Sequence, residues 1–453
     1  MARGRNSSSI FLVLFLALIV GVGGYVYTSQ SFKRDAPAIN MQTSGYWNLK
    51  KPLEITIDDE LGIKSYRVSM ITAGEESLLL NDQLLEPQKR VILKLDPPKA
   101  IFASKEEQVK IRIEANDSSK WNYFAGNLAI KEYSLVVDKK RPSVDVVSNS
   151  YKIKKGGSAL VVFRAVDENL KDLHIETNFG KRFLATPFYK EGYYATLLAW
   201  PIAESSFRAS VVATDMAGNE TKVYIPYFLQ DANYKVSNID ISDNFLHGKI
   251  AELADEFEET LGIEEPLEQF RAINETIREK NEILIHDVGS KVSKEMVDTI
   301  SFKPMYPLKN AAAVASYGDH RHYFYNKAKL SESWHMGLDL ASIAQAEIRT
   351  QNGGEVKFSD FNGLYGNMVM IDHSLGLYTL YGHCSSLSVN TGDYVKAGEV
   401  IAHSGKTGYA MGDHLHFGVL VQGVEVRPDE WMDAQWIKLN IDDVLANARS
   451  LIK

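Results

Sequence analysis

Cysteine is nearly missing from this sequence. Its single example, Cys384, has no intrachain partner, so no disulfide braces any part of the chain. A surplus of positive charge is missing too: 50 lysines and arginines stand against 58 aspartates and glutamates, for a formal net charge of −8. Phosphate backbones are held by basic surfaces, so this balance argues against a nucleic-acid partner. The composition of a disordered chain is also absent, since 45% of residues are hydrophobic and 24% charged, as in folded proteins. At 453 residues the sequence exceeds one ordinary domain, and roughly two to four are expected.

What is present begins with "MARGR", which supplies two arginines. An uncharged, mostly apolar run follows, "IFLVLFLALIVGVGGYVYT" (10–28). Such a run is long enough to cross a hydrocarbon core as a helix. Basic residues ahead of it predict that the N-terminus stays in the cytoplasm and that the remainder is exported. A cleaved signal peptide is the rival reading, but no A-x-A-like site follows the apolar run. The expectation is a cytoplasmic tip and single-pass anchor over 1–28, with the later domains on the periplasmic or cell-wall side of the membrane.

Residues 29–45 read as a short polar spacer. From 46 to about 230, short β-branched runs such as "LEITI", "RVILKL" and "VKIRIEA" alternate with turn residues, the texture of a β-sandwich. "PLEITIDDELGIKSYRV" (52–68) is faintly echoed by "PSVDVVSNS" (142–150), and "RIEANDSSKW" (112–121) by "VVATDMAGNE" (211–220). The echo predicts two modules, 46–139 and 140–231. The "ATDMAGN" phrase in the second resembles the last strands of bacterial immunoglobulin-like modules. At about 240 the period changes. Ile250, Leu253, Phe257 and Leu261 recur at three- and four-residue steps, with Phe245 ahead of them, and Gly262 with Pro266 marks a break, so two amphipathic helices are expected over 240–295. Beyond 300, glycine-punctuated β text predicts a compact antiparallel domain to about 435. A tail over 436–453 follows, open to a helical reading.

Eight of the 11 histidines lie between 320 and 416. A hydrolytic metal needs three ligands from His, Asp or Glu and a remaining place for water. Two short motifs offer such ligands. His335 and Asp339 are four apart in "HMGLD", and His414 and His416 are two apart in "DHLHFG", a spacing that puts both imidazoles on one face of a strand. His383, in "LYGHC", is a further imidazole. H-x-x-x-D alone is a weak signal and H-x-H a moderate one; the three in this order, within a glycine-rich β domain beyond a membrane anchor, are a strong one.

At these residues the sequence resembles a known family. "SYGDHR", "HMGLDLAS", "GNMVMIDHSLGLYTLYGH", "GDYVKAGEVIAHSGKTG" and "DHLHFGV", within 304–432, are similar to the lysostaphin/LytM-type zinc metallopeptidases, which cut peptide bonds of bacterial peptidoglycan. The resemblance implies one Zn²⁺ per chain, held by His335, Asp339 and His416. It also implies His383 and His414 as catalytic histidines that do not bind the metal. The expected architecture is mainly β: an N-terminal transmembrane helix, tandem immunoglobulin-like β-sandwich modules, a short helical linker and a C-terminal antiparallel β metallopeptidase domain. The expected activity is metal-assisted hydrolysis of peptidoglycan peptides outside the cytoplasm.

Other residues invite lesser readings. Cys384 follows His383 directly, but strand neighbours face opposite ways, so a buried structural thiol is expected. Asp413 is read as either a group fixing a ring tautomer or a turn residue. Arg321 resembles a position lining the family's substrate cleft. His320 and His322 flank it and could form a second metal site, though a surface turn is the plainer reading. His373 and His403 are read as structural. The segment 321–334 reads as a polar, aromatic loop at the cleft rim. The helical stretch is either a cover over the cleft or a passive spacer. The competing assignments are a non-catalytic murein-binding or amidase-activating protein, and a scaffold whose β modules hold envelope protein partners.

Overall fold

In the computed structural model, which describes residues 7–73, 75–99, 101 and 107–452, the protein is mainly β with one apolar N-terminal helix. That helix is Ser7–Thr28. Its stretch Ile10–Thr28 spans about 28 Å at 1.5 Å per residue, close to the thickness of a hydrocarbon core. Its leucine, valine and phenylalanine side chains from Phe11 to Val22 are exposed among the described residues. The expected cytoplasmic tip, 1–6, lies outside the described residues.

The chain divides into two compact units, Met1–Arg141 with Thr214–Glu220, and Pro142–Ala213 with Thr221–Lys453. In the first, Ala38–Met41, Leu53–Thr72, Gln108–Asp117, Leu128–Val137 and Tyr46–Trp47 lie in that order in one sheet. Glu75–Leu95 pairs with Leu53–Thr72. Alternation makes the strands: Leu53, Ile55 and Ile57 are buried while Glu54 is exposed, and Val109, Ile111 and Ile113 repeat the pattern. The module expected as a sandwich of short strands thus has one continuous sheet with strands of 20 and 21 residues. The reason is a bulge. Asp59 accepts the amide N–H groups of Leu61 and Gly62 at 2.8 and 2.9 Å, and Gly62 stands at φ +101°, so the strand bends there and continues. The spacer read over 29–45 also contributes Ala38–Met41, paired from Ala38↔Asp58 to Met41↔Ile55.

The second unit opens with two four-stranded sheets. One holds Arg182–Leu184, Leu170–Thr177, Ala209–Asp215 and Glu220–Tyr224; the other holds Thr186–Pro187, Tyr193–Ala199, Ser158–Val166 and Ser143–Asn149. Ile175, Phe183 and Val211 share a core with Leu160, Val162 and Leu197, the arrangement of a β-sandwich. The C-terminal tail is helical over Asp443–Leu451, and Val444, Leu445 and Ala448 enter the same core.

Helices occupy the expected stretch. The Ser242 hydroxyl caps the first run by accepting the Phe245 N–H, Gly262 stands at φ +82° after it, and Pro266 opens the second, which continues to Gly289. Ile250, Leu253, Phe270, Ile273 and Ile277 form an apolar stripe. It closes on Met368, Met370, Tyr378, Leu380 and Leu420. Those five come from Asn367–Asp372, Leu377–Cys384 and Leu415–Val421, neighbouring strands of the largest sheet. The segment expected as a linker is therefore packed into this unit as part of its core.

That sheet is antiparallel, as expected, in the order Ala312–Ala315, Leu338–Ala341, Leu415–Val421, Leu377–Cys384, Asn367–Asp372, Gly354–Phe361 and Tyr394–Val395. Along Leu415–Val421, His416, Gly418 and Leu420 share one face, so the helices cover the sheet face next to His416. The segment 321–334 is not a loop. Asp319–Tyr325 and Ala328–His335 form a hairpin turned at Asn326 and Lys327, whose φ values are +48° and +70°. Val236–Asp240 adds a third, parallel strand to it.

Candidate metal centre

Three short elements bring the predicted ligands together. Leu338–Ala341 runs antiparallel to Leu415–Val421 with Asp339 opposite His416, and His335 ends the hairpin. Asp339 Oδ1 lies 2.9 Å from His335 Nε2 and 2.9 Å from His416 Nδ1, and the two nitrogens are 3.2 Å apart. All three residues are buried. Gly337 makes this approach possible: a Cβ there would meet His416 Cε1 and Nε2 at 2.5 Å.

Burial opposes charge on Asp339, but the His335 and His416 rings beside it override that and hold the carboxyl well below the usual carboxylate range. Burial likewise lowers His416, against the pull of Asp339. His335 Nδ1 donates to the Ser316 carbonyl at 2.9 Å, which leaves Nε2 with its lone pair toward the carboxylate. The donor set is one carboxylate and two imidazoles converging on one point, the chemistry of a Zn²⁺ site.

The two other predicted histidines stand beside it. His414 Nε2 is 3.8 Å from Asp339 Oδ2, and its Nδ1 donates to the Gly412 carbonyl at 2.8 Å. The His383 ring is 4.8 Å from that of His414 and 5.8 Å from that of His416. Its Nδ1 donates to the Thr407 carbonyl at 2.9 Å, and burial pushes its pKa down to about 3, so the ring is neutral. His383 also holds φ +62°, a left-handed conformation that costs a non-glycine residue roughly 1–3 kcal/mol. Around these groups opens a cleft of about 420 Å³.

Arg321 lines the cleft, as expected, with its Nε 3.6 Å from Asp319. Trp334, the last residue of the segment read as a rim loop, is a further wall, and sequence reasoning missed three more: Arg278, Tyr365 and Tyr409. Tyr365 sits between two glycines in "GLYG", which was the available signal. Arg278 could not be found this way, because it belongs to the helical segment. That segment forms one side of the cleft while the cleft stays open.

The remaining residues sort themselves. Asp413 accepts from the Ser404 hydroxyl at 2.6 Å and the Gln345 N–H at 3.0 Å, so it ties down its loop. Cys384 is fully buried, and burial pushes its thiol up to about 12. His373 is buried between the Gly353 carbonyl at 2.9 Å and the Thr379 hydroxyl at 2.8 Å. His403 lies on Val400–His403, within 3.2 Å of the Ser386 hydroxyl. His320 and His322 lie on a strand, where a surface turn was expected.

Residues 333–428 match the profile of Peptidase family M23. The DD-carboxypeptidase/endopeptidase Mpg of Neisseria meningitidis serogroup B is 38% identical over 106 residues, 23% of this chain and 24% of that protein. The peptidoglycan DD-endopeptidase ShyC of Vibrio cholerae is 37% identical over 94 residues, 21% of this chain and 22% of that protein. The catalytic domain of the antimicrobial peptidase lysostaphin from Staphylococcus simulans is 27% identical over 27% of this chain and 92% of its own, with a TM-score of 0.23. The chain spans about a quarter of the length of these curated relatives. The stretch that carries His335, Asp339, His383, His414 and His416 is a Peptidase family M23 domain.

Proposed function

We propose that this protein is a membrane-anchored, zinc-dependent endopeptidase that hydrolyses peptide bonds of bacterial peptidoglycan outside the cytoplasm. The observation that carries the reading is the convergence of His335 Nε2, His416 Nδ1 and Asp339 Oδ1 within 3.2 Å of one another, in a cleft that also holds two further imidazoles. Zn²⁺ bound there supplies Lewis-acid polarisation of the scissile carbonyl and a water of lowered pKa.

The chain's own groups supply the rest. The Ser316 carbonyl fixes the His335 ring so that its lone pair faces inward. The Gly412 and Thr407 carbonyls do the same for His414 and His383, leaving Nε2 of each ring free to exchange a proton. Amide hydrolysis needs two transfers, and the balance closes when an Nε2 of this pair takes the proton of the attacking water and that same proton is passed to the leaving amine. Arg321 offers a fixed positive charge at the cleft wall to orient substrate. The helix Ser7–Thr28 anchors the chain, and the arginines ahead of it set the orientation. All five positions of the constellation are present, which favours catalysis over a murein-binding role.

The test is digestion of purified sacculi by the full chain, with and without a chelator, read by mass spectrometry. Chelator-sensitive release of peptide fragments, lost in His416→Ala, is expected. Release that persists in the chelated enzyme and in His416→Ala refutes the metal reading.

A further inference from the structure

The hairpin that ends at His335 carries a second set of converging donors, on residues the catalytic cleft does not use. His322 faces Glu332 across the two strands, and His320 faces Trp334 two pairs along. Alternation therefore places His320, His322 and Glu332 on one face of the hairpin. Glu332 Oε2 is 3.5 Å from His320 Nε2 and 3.5 Å from His322 Nε2, and the three donor atoms lie within 4.8 Å of one another.

Two features set this apart from a chance surface cluster. The first is spacing. Ligands about 2.0–2.1 Å from a tetrahedral zinc sit about 3.3–3.4 Å from each other, close to both histidine–carboxylate separations here. The second is an orphaned atom. His320 Nε2 is buried and has no hydrogen-bond partner, while its ring is stacked on Trp334 with centroids 4.1 Å apart and planes 6° apart. A buried ring nitrogen without a partner is a cost unless something binds it. Stacking fixes the ring's plane, and the His322 ring stands across it at 78° with centroids 4.3 Å apart.

The geometry points to a second zinc site made by His320, His322 and Glu332, distinct from the catalytic one and with its outer positions open to water. Two imidazoles and a carboxylate suit Zn²⁺ among the available divalent cations. The Lys329 ammonium now rests on the same carboxylate oxygen, so the position already attracts a cation. Lys329 is half-exposed and free to swing away when a metal arrives. With Lys329 competing and Glu332 half-exposed, this site binds more weakly than the buried one. Occupancy would pin together the two strands from which Arg321 and Trp334 reach the catalytic cleft.

The test is the zinc stoichiometry of the detergent-solubilised full chain, stripped with chelator, dialysed against buffered Zn²⁺ and measured by plasma mass spectrometry. Two zincs per chain are expected for the wild type. One is expected for His322→Ala and for the near-isosteric Glu332→Gln, and one for His335→Ala; combining His335→Ala with His322→Ala should leave none. Lys329→Ala should tighten the weaker site. One zinc in the wild type that survives His322→Ala and Glu332→Gln overturns the proposal, as does a second zinc indifferent to both. One zinc that survives His335→Ala but not His322→Ala would sink the catalytic reading and leave this site standing.

Discussion

Gly337→Ala is the smallest change that should disable the metal centre. The added methyl group would lie 2.5 Å from His416 Cε1 and Nε2, and 2.9 Å from the Phe417 carbonyl oxygen. Ordinary contact needs about 3.4 Å, so the imidazole must retreat by about 1 Å. It has little room to do so, because His416 is buried between Asp339, His335 and the Tyr365 ring, whose centroid is 5.4 Å away. Overpacking of this kind costs roughly 1–3 kcal/mol of stability. Metal ligands tolerate displacements of only about 0.2 Å, and a misplacement of about 1 Å at a reacting centre costs on the order of 10²-fold in rate. The assay pairs zinc content with the initial rate of sacculus digestion. Gly248→Ala is the control, since a Cβ there meets nothing within 4 Å. The expected result is a loss of zinc affinity and at least about a 10²-fold loss of rate in Gly337→Ala, with the control unchanged. A Gly337→Ala protein that binds zinc and cuts like the wild type would refute the packing argument.

Three further outcomes follow from the same geometry. His414→Ala and His383→Ala should each lose on the order of 10²–10⁴-fold in rate while keeping the catalytic zinc, because neither supplies a donor to the three-atom cluster; loss of zinc in either would reassign it. His373 should make the fold acid-sensitive: burial lowers its pKa to about 4, so between its ordinary value of about 6.5 and about 4 the unfolded chain takes up a proton that the folded chain refuses, and stability falls as pH falls. Its share is about 2 kcal/mol between pH 7 and about pH 5, and denaturant titrations of the wild type and His373→Gln should differ in pH slope by that amount; equal slopes refute it. Deleting residues 240–295 from the full chain should bare Tyr378 and also Met368, Met370, Leu380 and Leu420, the last four worth roughly 1.5–3 kcal/mol each when buried, so the deletion variant should melt earlier or aggregate; an unshifted melting temperature contradicts the packing described.

The site was far more legible in the sequence than its surroundings. His335, Asp339, His414 and His416 sit in short motifs whose spacing encodes a shared face, and local periodicity survives any arrangement of domains. The apolar stripe of Ile250, Leu253, Ile273 and Ile277 was equally plain, but a stripe states only that something covers it. That Met370 and Leu380 are the partners, and that Arg278 reaches the cleft as a result, depends on contacts more than 80 residues apart in the chain. The hairpin over 319–335 was misread because polar and aromatic residues alternate there without a clean apolar face. The long strands of the first unit were misread because Asp59 and Gly62 signal a turn in sequence but form a bulge in place.

The central claim is a zinc ion shared by the His335, His416 and Asp339 side chains. Zinc-edge X-ray absorption on the full chain carrying Glu332→Gln and loaded with one equivalent of Zn²⁺ reports those bonds directly. The account predicts two imidazole nitrogens and carboxylate and water oxygens at about 2.0–2.1 Å, with the bound zinc and its imidazole scattering lost in His335→Ala. A spectrum without imidazole scattering, or one that His335→Ala leaves unaltered, contradicts it.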